Sequence, residues 1–117
     1  MKLDTSERWT EQAMNNFLEK LHKLSWEQQT YWLKMLPNHL AASENNSRLH
    51  KLLINFDYIG AKILTFSTIN VVDDYKLYQP QDETLVQISK ALRANAHIFD
   101  KCKRLSDLKA TIYSRFE

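Results

Sequence analysis

Glycine is almost missing from this chain, which has one in 117 residues alongside two prolines and one cysteine. Without a supply of residues that take positive φ, a sandwich or barrel, with a tight turn every ten residues or so, is hard to build. The dinucleotide-binding fingerprint and the P-loop each need at least two glycines at fixed spacing, so neither kind of phosphate-cradling loop is present. The lone Cys102 allows no intrachain disulfide and fits a reducing, cytoplasmic setting. No apolar run approaches the ~20 residues of a membrane span, and the polar stretch from Lys2 to Arg8 does not have the form of a signal peptide. Charge of one sign is also scarce. The net charge is +2 with acids and bases interspersed, which gives no electrostatic case for a nucleic-acid partner. The densest basic run, Lys101, Lys103 and Arg104, has Asp100 and Asp107 beside it and reads as a solvated helix end.

What fills the space is Leu, Lys, Glu, Gln and Ala, all good helix formers, and the expected fold class is all-α. The organising stretch is Ser47 to Lys62. Leu49, Leu52, Leu53 and Phe56 fall at i, i+3, i+4 and i+7, and Ile59, Ile63 and Phe66 open a second set. Two helices are therefore expected to meet at a corner at Asn55–Asp57, with Asp57 capping the second. Upstream, Thr5 or Ser6 is expected to cap a helix with Trp9, Ala13, Phe17, Leu21 and Leu24 on its apolar side. Ser25 then starts another in capping-box form with Gln28. Pro37 should end that helix at Leu36 and begin a short one through Ala42, since proline lacks a donor and disfavours helix at the residue before it. Glu44–Ser47 reads as a loop, with Asn46 or Ser47 capping the next helix.

Thr65 to Tyr78 is expected as a short helix or an extended connector, because its β-branched run has no partner strand elsewhere. A helix should begin at Pro80–Glu83 with acids in its first turn and run unbroken through Leu85, Ile88, Leu92, Ala96 and Phe99. The last should carry Leu108, Ile112 and Phe116 inward from about Arg104 or Ser106. The sum is about six or seven helices on short links, a pattern that builds stacked helical hairpins or an irregular bundle in one domain over residues 1–117. No fixed repeat of the tetratricopeptide or ankyrin period is present.

The residues by themselves point to no catalytic, cofactor or metal site. None of His22, His39, His50 and His97 has another His or Cys three or four residues away, so zinc would need ligands converging from separate helices. His39 and His97 sit beside apolar runs and read as partly buried side chains satisfied by backbone. Asp73-Asp74 is the one adjacent pair of aspartates, and neighbours on a polar link point apart into water rather than share a proton. No serine sits in a nucleophile turn. The aromatic residues, Trp9, Trp26 and Trp32 among them, suit either a core or a protein interface.

Several segments in order carry a family resemblance. Tyr31-Trp32-Leu33-Lys34-Met35-Leu36-Pro37-Asn38-His39-Leu40 resembles the Tyr-x-Leu-x-x-Leu-Pro-x-His-Leu run of the helical domain in NB-ARC signalling NTPases. These are the STAND proteins related to apoptotic protease-activating factor and plant resistance proteins, and the bacterial variety carrying WD repeats is the most similar. Leu49-His50-Lys51-Leu52-Leu53, Phe56-Asp57-Tyr58-Ile59 and Ala61-Lys62 are similar to the next motif, and Asp73-Asp74-Tyr75 resembles the family's Asp-Tyr connector. Leu92-Arg93-Ala94-Asn95-Ala96-His97-Ile98-Phe99 and the closing Leu105, Leu108 and Arg115-Phe116 complete a likeness over about residues 26 to 117. Asn38 stands where the family often has an aromatic, Cys102 near its usual proline, and Ala110 or Thr111 near its glutamine.

The resemblance implies a non-catalytic spacer between an NTPase core and sensor repeats. Its partner would be a protein: a larger NTPase, a repeat protein or a second copy. It would be either an excised domain or a stand-alone product. Expected structural or interface positions are His39, Asp57, His97 and Arg115 as polar anchors, with Arg115 pairing a helix C-terminus or an acid, and Trp9, Trp26 and Trp32. The alternative from another class is a small regulator or inhibitor, antitoxin-like or phage-encoded, that acts by blocking a partner protein.

Overall fold

The computed structural model describes residues 11–80 and 82–115, with side chains from Asn15 onward. These residues form eight α-helices and one 3-10 turn: α1 (Glu11–His22), α2 (Trp26–Ala42), α3 (Asn46–Leu53), α4 (Phe56–Thr65), α5 (Thr68–Asp74), the 3-10 turn Tyr75–Leu77, α6 (Glu83–Ala94), α7 (Ala96–Phe99) and α8 (Leu105–Arg115). No strand occurs among them. The proposed caps Thr5 and Ser6, together with Trp9 and Phe116, lie outside the described residues.

Five consecutive helices start on a short polar side chain that accepts a backbone N–H of the first turn: Ser25, Asn45, Asn55, Ser67 and Asp82. Each satisfies one of the donors that a helix start leaves orphaned. The cap of α4 is Asn55, not Asp57. The Asn55 backbone is extended, which lets its Oδ1 accept from both Asp57 N at 2.9 Å and Tyr58 N at 3.1 Å. Asp57 is already inside the helix, where its carboxylate favours the positive end of the dipole and pairs with Lys109 of α8. Asn55→Ala should therefore cost about 1 kcal/mol. Asp57→Ala removes only a half-exposed ion pair and should cost less than about 1 kcal/mol. Urea denaturation of the two variants checks the order, and a larger loss from Asp57→Ala would return the cap to that residue.

Pro37 does not end α2, which runs unbroken from Trp26 to Ala42. One intrahelical bond is lost, but Leu33, Leu36, Pro37 and Leu40 are buried together on one face. Burial of a Leu side chain stabilises by about 1.5–3 kcal/mol, and several such residues outweigh the missing donor. α2 ends instead at Ser43 with a left-handed residue, Glu44 at φ 58°. Glu44 N donates to Ala41 O and Asn45 N to Leu40 O, the paired bonds of a Schellman turn built here without glycine. The one glycine sits inside α4, where it costs about 1 kcal/mol relative to alanine. A Cβ on Gly60 would lie 2.9 Å from Leu105 Cδ1, so the bare backbone admits α8 at close range.

α3 and α4 supply much of the buried core, through Leu49, Leu52, Leu53, Tyr58, Ile59 and Ile63. Against this central pair, α1 and α2 pack on one side and α5 and α8 on the other, with α6 laid on α5. The expected helix through Leu92 and Phe99 is divided at Asn95. There the Asn95 backbone N–H and side-chain Nδ2 both donate to Ala91 O, the chain leaves helical geometry, and α7 restarts at Ala96. Within the stretch 65–78, α5 and the 3-10 turn make Thr68 to Leu77 helical.

Candidate functional site

The strongest concentration of buried polar chemistry joins α4 to α5. Asp74 Oδ2 accepts from Lys62 Nζ at 2.7 Å and from Tyr58 Oη at 2.6 Å. Lys62 and Tyr58 lie one helical turn apart on α4, so both face α5, and the Lys62 ammonium sits 5.8 Å from the Tyr58 ring centroid. Next door, Tyr75 Oη donates to Leu53 O at 2.6 Å and ties the end of α5 to α3. All four side chains are buried. Burial pushes the Asp74 carboxyl up from the usual carboxylate range, and the Lys62 ammonium and the Tyr58 hydroxyl, which pull the other way, do not cancel it. Burial, then the Asp74 charge, raises both tyrosine hydroxyls.

Lys–Asp–Tyr is a set that acid–base catalysis uses, but here every partner is internal. Asp74 Oδ2 is saturated by two donors. A surface groove of about 400 Å³ between α5 and α6 reaches Tyr75 and none of the other three. This cluster braces helices. By sequence alone both Asp73 and Asp74 read as solvated. In fact only Asp73 is, paired with Lys76 at 3.2 Å. The only sequence signal for the cluster is that Tyr58, Lys62 and Asp74 all fall within the segments of family resemblance.

A second polar tie links α3 to the start of α6. Asp82 Oδ1 accepts from Leu85 N at 3.0 Å, and Asp82 Oδ2 accepts from His50 Nε2 at 2.8 Å. The His50 ring also lies 5.5 Å from the Tyr78 ring, centroid to centroid. The Leu85 N–H first, then His50, holds the Asp82 carboxyl below its usual range. A folded-state pKa below the unfolded one adds stability at pH above about 4, the unfolded value. That contribution is lost as pH falls further, through the folded pKa. Asp82→Asn keeps a capping oxygen and loses the titration. Wild type should thus be more stable than the variant near neutrality, and the gap should close in acid. Thermal melts of both across that pH range would contradict this if the gap stayed constant.

A third tie docks α7 to α5: Asp100 Oδ1 accepts from Thr68 N at 2.9 Å and Thr68 Oγ1 at 2.7 Å. The carboxylate sits at a helix start, where negative charge is favoured.

The residues singled out from sequence are scattered. His39 is exposed on α2, with its ring 6.2 Å from Trp32, and His97 is exposed on α7, so neither is the half-buried anchor expected. Both sit next to apolar residues in sequence, but on a helix the neighbours in space are three or four residues away. Arg115 is exposed in the last turn of α8, where a cation suits the dipole, and it makes no ion pair among the described residues. Trp26 is 71% exposed. Trp32 is half-buried, edge-on to Phe17 and Tyr31. Among the described residues no group of three or more His, Cys, Asp or Glu could hold a metal, and no helix is long and apolar enough to cross a membrane.

The family model described as the APAF-1 helical domain matches residues 7–109. No curated protein and no solved structure matches the chain significantly. The match begins before α1 and runs into α8, so it takes in all three polar ties and the core between them. With most of its length matched, the chain belongs to the APAF-1 helical domain family, the helical domain of signalling NTPases.

Proposed function

We propose that the chain, as one helical domain over residues 1–117, is a non-catalytic regulatory module that binds a protein partner, a larger signalling NTPase. The family match over residues 7–109 carries this reading. Its support from geometry is that the positions bearing the resemblance, Tyr58, Lys62 and Asp74, are consumed in holding α4 to α5 and face no substrate. A domain whose buried charges serve to fix helix against helix is suited to transmit movement between the bodies it joins. Its place would be the cytoplasm, where such NTPases work.

Calorimetric titration of the purified chain with the nucleotide-binding core of a signalling NTPase from the same genome tests the proposal. Saturable binding, with Kd of roughly micromolar or tighter, is the expected result. A chain that binds no such core and turns over nucleotide by itself overturns it.

A further inference from the structure

The flank of α6 beside α5 sets half-buried apolar surface next to exposed positive charge. Val86, Ser89, Lys90 and Arg93 recur at three- and four-residue steps on one side of the helix. With Val72, Tyr75 and Lys76 from the facing turn they line the groove of about 400 Å³ between α5 and α6. That volume lies at the small end of the range for binding sites, about 300–1,000 Å³. The floor is apolar, formed by Val72, Leu85 and Val86, while Lys76, Lys90 and Arg93 stand at the rim. Lys90 and Arg93 make no ion pair among the described residues, and Lys76 makes only an exposed one with Asp73. Asp82 also lines the groove, but its two oxygens are already taken by Leu85 N and His50. The free charge around the groove is thus positive, although the chain as a whole is nearly neutral at +2.

We infer that this groove binds an acidic segment of a protein partner, which sets an apolar side chain against Val72 and Val86 and its carboxylates against Lys76, Lys90 and Arg93. Charge complementarity selects the occupant. Exposed cations beside an apolar floor favour a chain that alternates acids with apolar residues, and they disfavour a basic or purely polar one. This rests on the reading of the domain as a partner-binding module and names the surface that does the binding.

The probe is a fluorescein-labelled peptide of about six residues, roughly 20 Å when extended, in which Leu and Phe alternate with Glu and Asp. Two controls keep its length: one replaces the apolar residues with Ser, the other replaces the acids with Lys. Fluorescence anisotropy should show saturable binding of the first peptide only, weakening as salt rises. NMR shifts should centre on Val72, Leu85, Val86 and Ser89. Lys90→Glu/Arg93→Glu, a double change of exposed side chains whose fold circular dichroism can confirm, should weaken binding about tenfold or more. The inference is overturned by equal binding of the Ser or Lys peptide, by unchanged affinity in the double variant, or by shifts elsewhere on the surface. It is equally overturned if phosphatidylglycerol vesicles bind the groove and the peptide does not. Should the chain bind the NTPase core, and the double variant bind it as well as wild type, the groove assignment fails while the proposed function stands.

Discussion

Asp74→Ala is expected to destabilise the domain by about 3–5 kcal/mol, because it strands the Lys62 ammonium in the interior. Lys62 is 4% exposed and Tyr58 fully buried. Asp74 Oδ2 is the acceptor for both, so one substitution leaves a charge and a hydroxyl unsatisfied together. A loss of this size would take a large part of the 5–15 kcal/mol that typically holds a domain together. Removing the whole cluster should be far milder. A triple variant, Tyr58→Phe/Lys62→Met/Asp74→Leu, fills a similar volume with apolar atoms and strands nothing. It should recover to within about 2 kcal/mol of wild type, since desolvation of a buried pair nearly cancels its attraction. Urea denaturation with circular dichroism measures both. If Asp74→Ala loses under about 1 kcal/mol, Lys62 has a route to water and the brace is not what joins α4 to α5.

The contrast separates two roles for such a cluster. Its net contribution to stability is small, but it permits one arrangement only, because any slip of α4 against α5 parts Lys62 and Tyr58 from Asp74. That use of buried charge suits the linking role proposed above. The apolar contacts of Leu49, Leu53 and Ile59 tolerate small slips at gradual cost; a buried ion pair does not.

Features encoded within a few residues were legible in the sequence. Ser25 as a cap, a helix beginning near Asp82, and the corner after Leu53 all follow from local donors and acceptors and from the 3.6-residue period, and the structure has them. What escaped depends on contacts between distant segments. Pro37 looks like a breaker until Leu33 and Leu40 are seen buried beside it. Asn95 breaks a helix whose apolar period continues through Leu92 and Phe99, because α7 stays on the same side of the core. Asp57 and Asn55 are both capping residues by type, and only the backbone at Asn55 decides between them. Lys62 and Asp74, twelve positions apart, look like two ordinary surface charges. The turn from α4 into α5 alone brings them together, and it is set by Ser67 and by Asp100 reaching over from the far side of α7. The cationic groove was hidden for the same reason, since Lys76 and Lys90 meet only after α6 folds back along α5.

The other large effect is expected at Phe99, where Phe99→Ala should cost about 3–5 kcal/mol. Its side chain is fully buried, in the four-residue helix α7, which packs on α5, α6 and α8. A helix this short has no stability of its own, so burial of Phe99 holds it in place. The next residue is Asp100, whose carboxylate secures Thr68 at the start of α5. Loss of the ring should therefore loosen two things at once: the local packing and a polar tie on another helix. Asp100→Ala alone removes only the tie and should cost about 1–2 kcal/mol. The double variant should lose less than the sum, because once α7 has shifted the Asp100 contact is already weakened. Phe99→Leu, which leaves most of the apolar volume, should keep the loss below about 2 kcal/mol with the Thr68 amide still protected from hydrogen exchange. Phe99→Ala should expose that amide. An Ala variant as stable as the Leu variant, or a Thr68 amide equally protected in both, would mean that α7 is positioned by its backbone links and that Phe99 merely fills space.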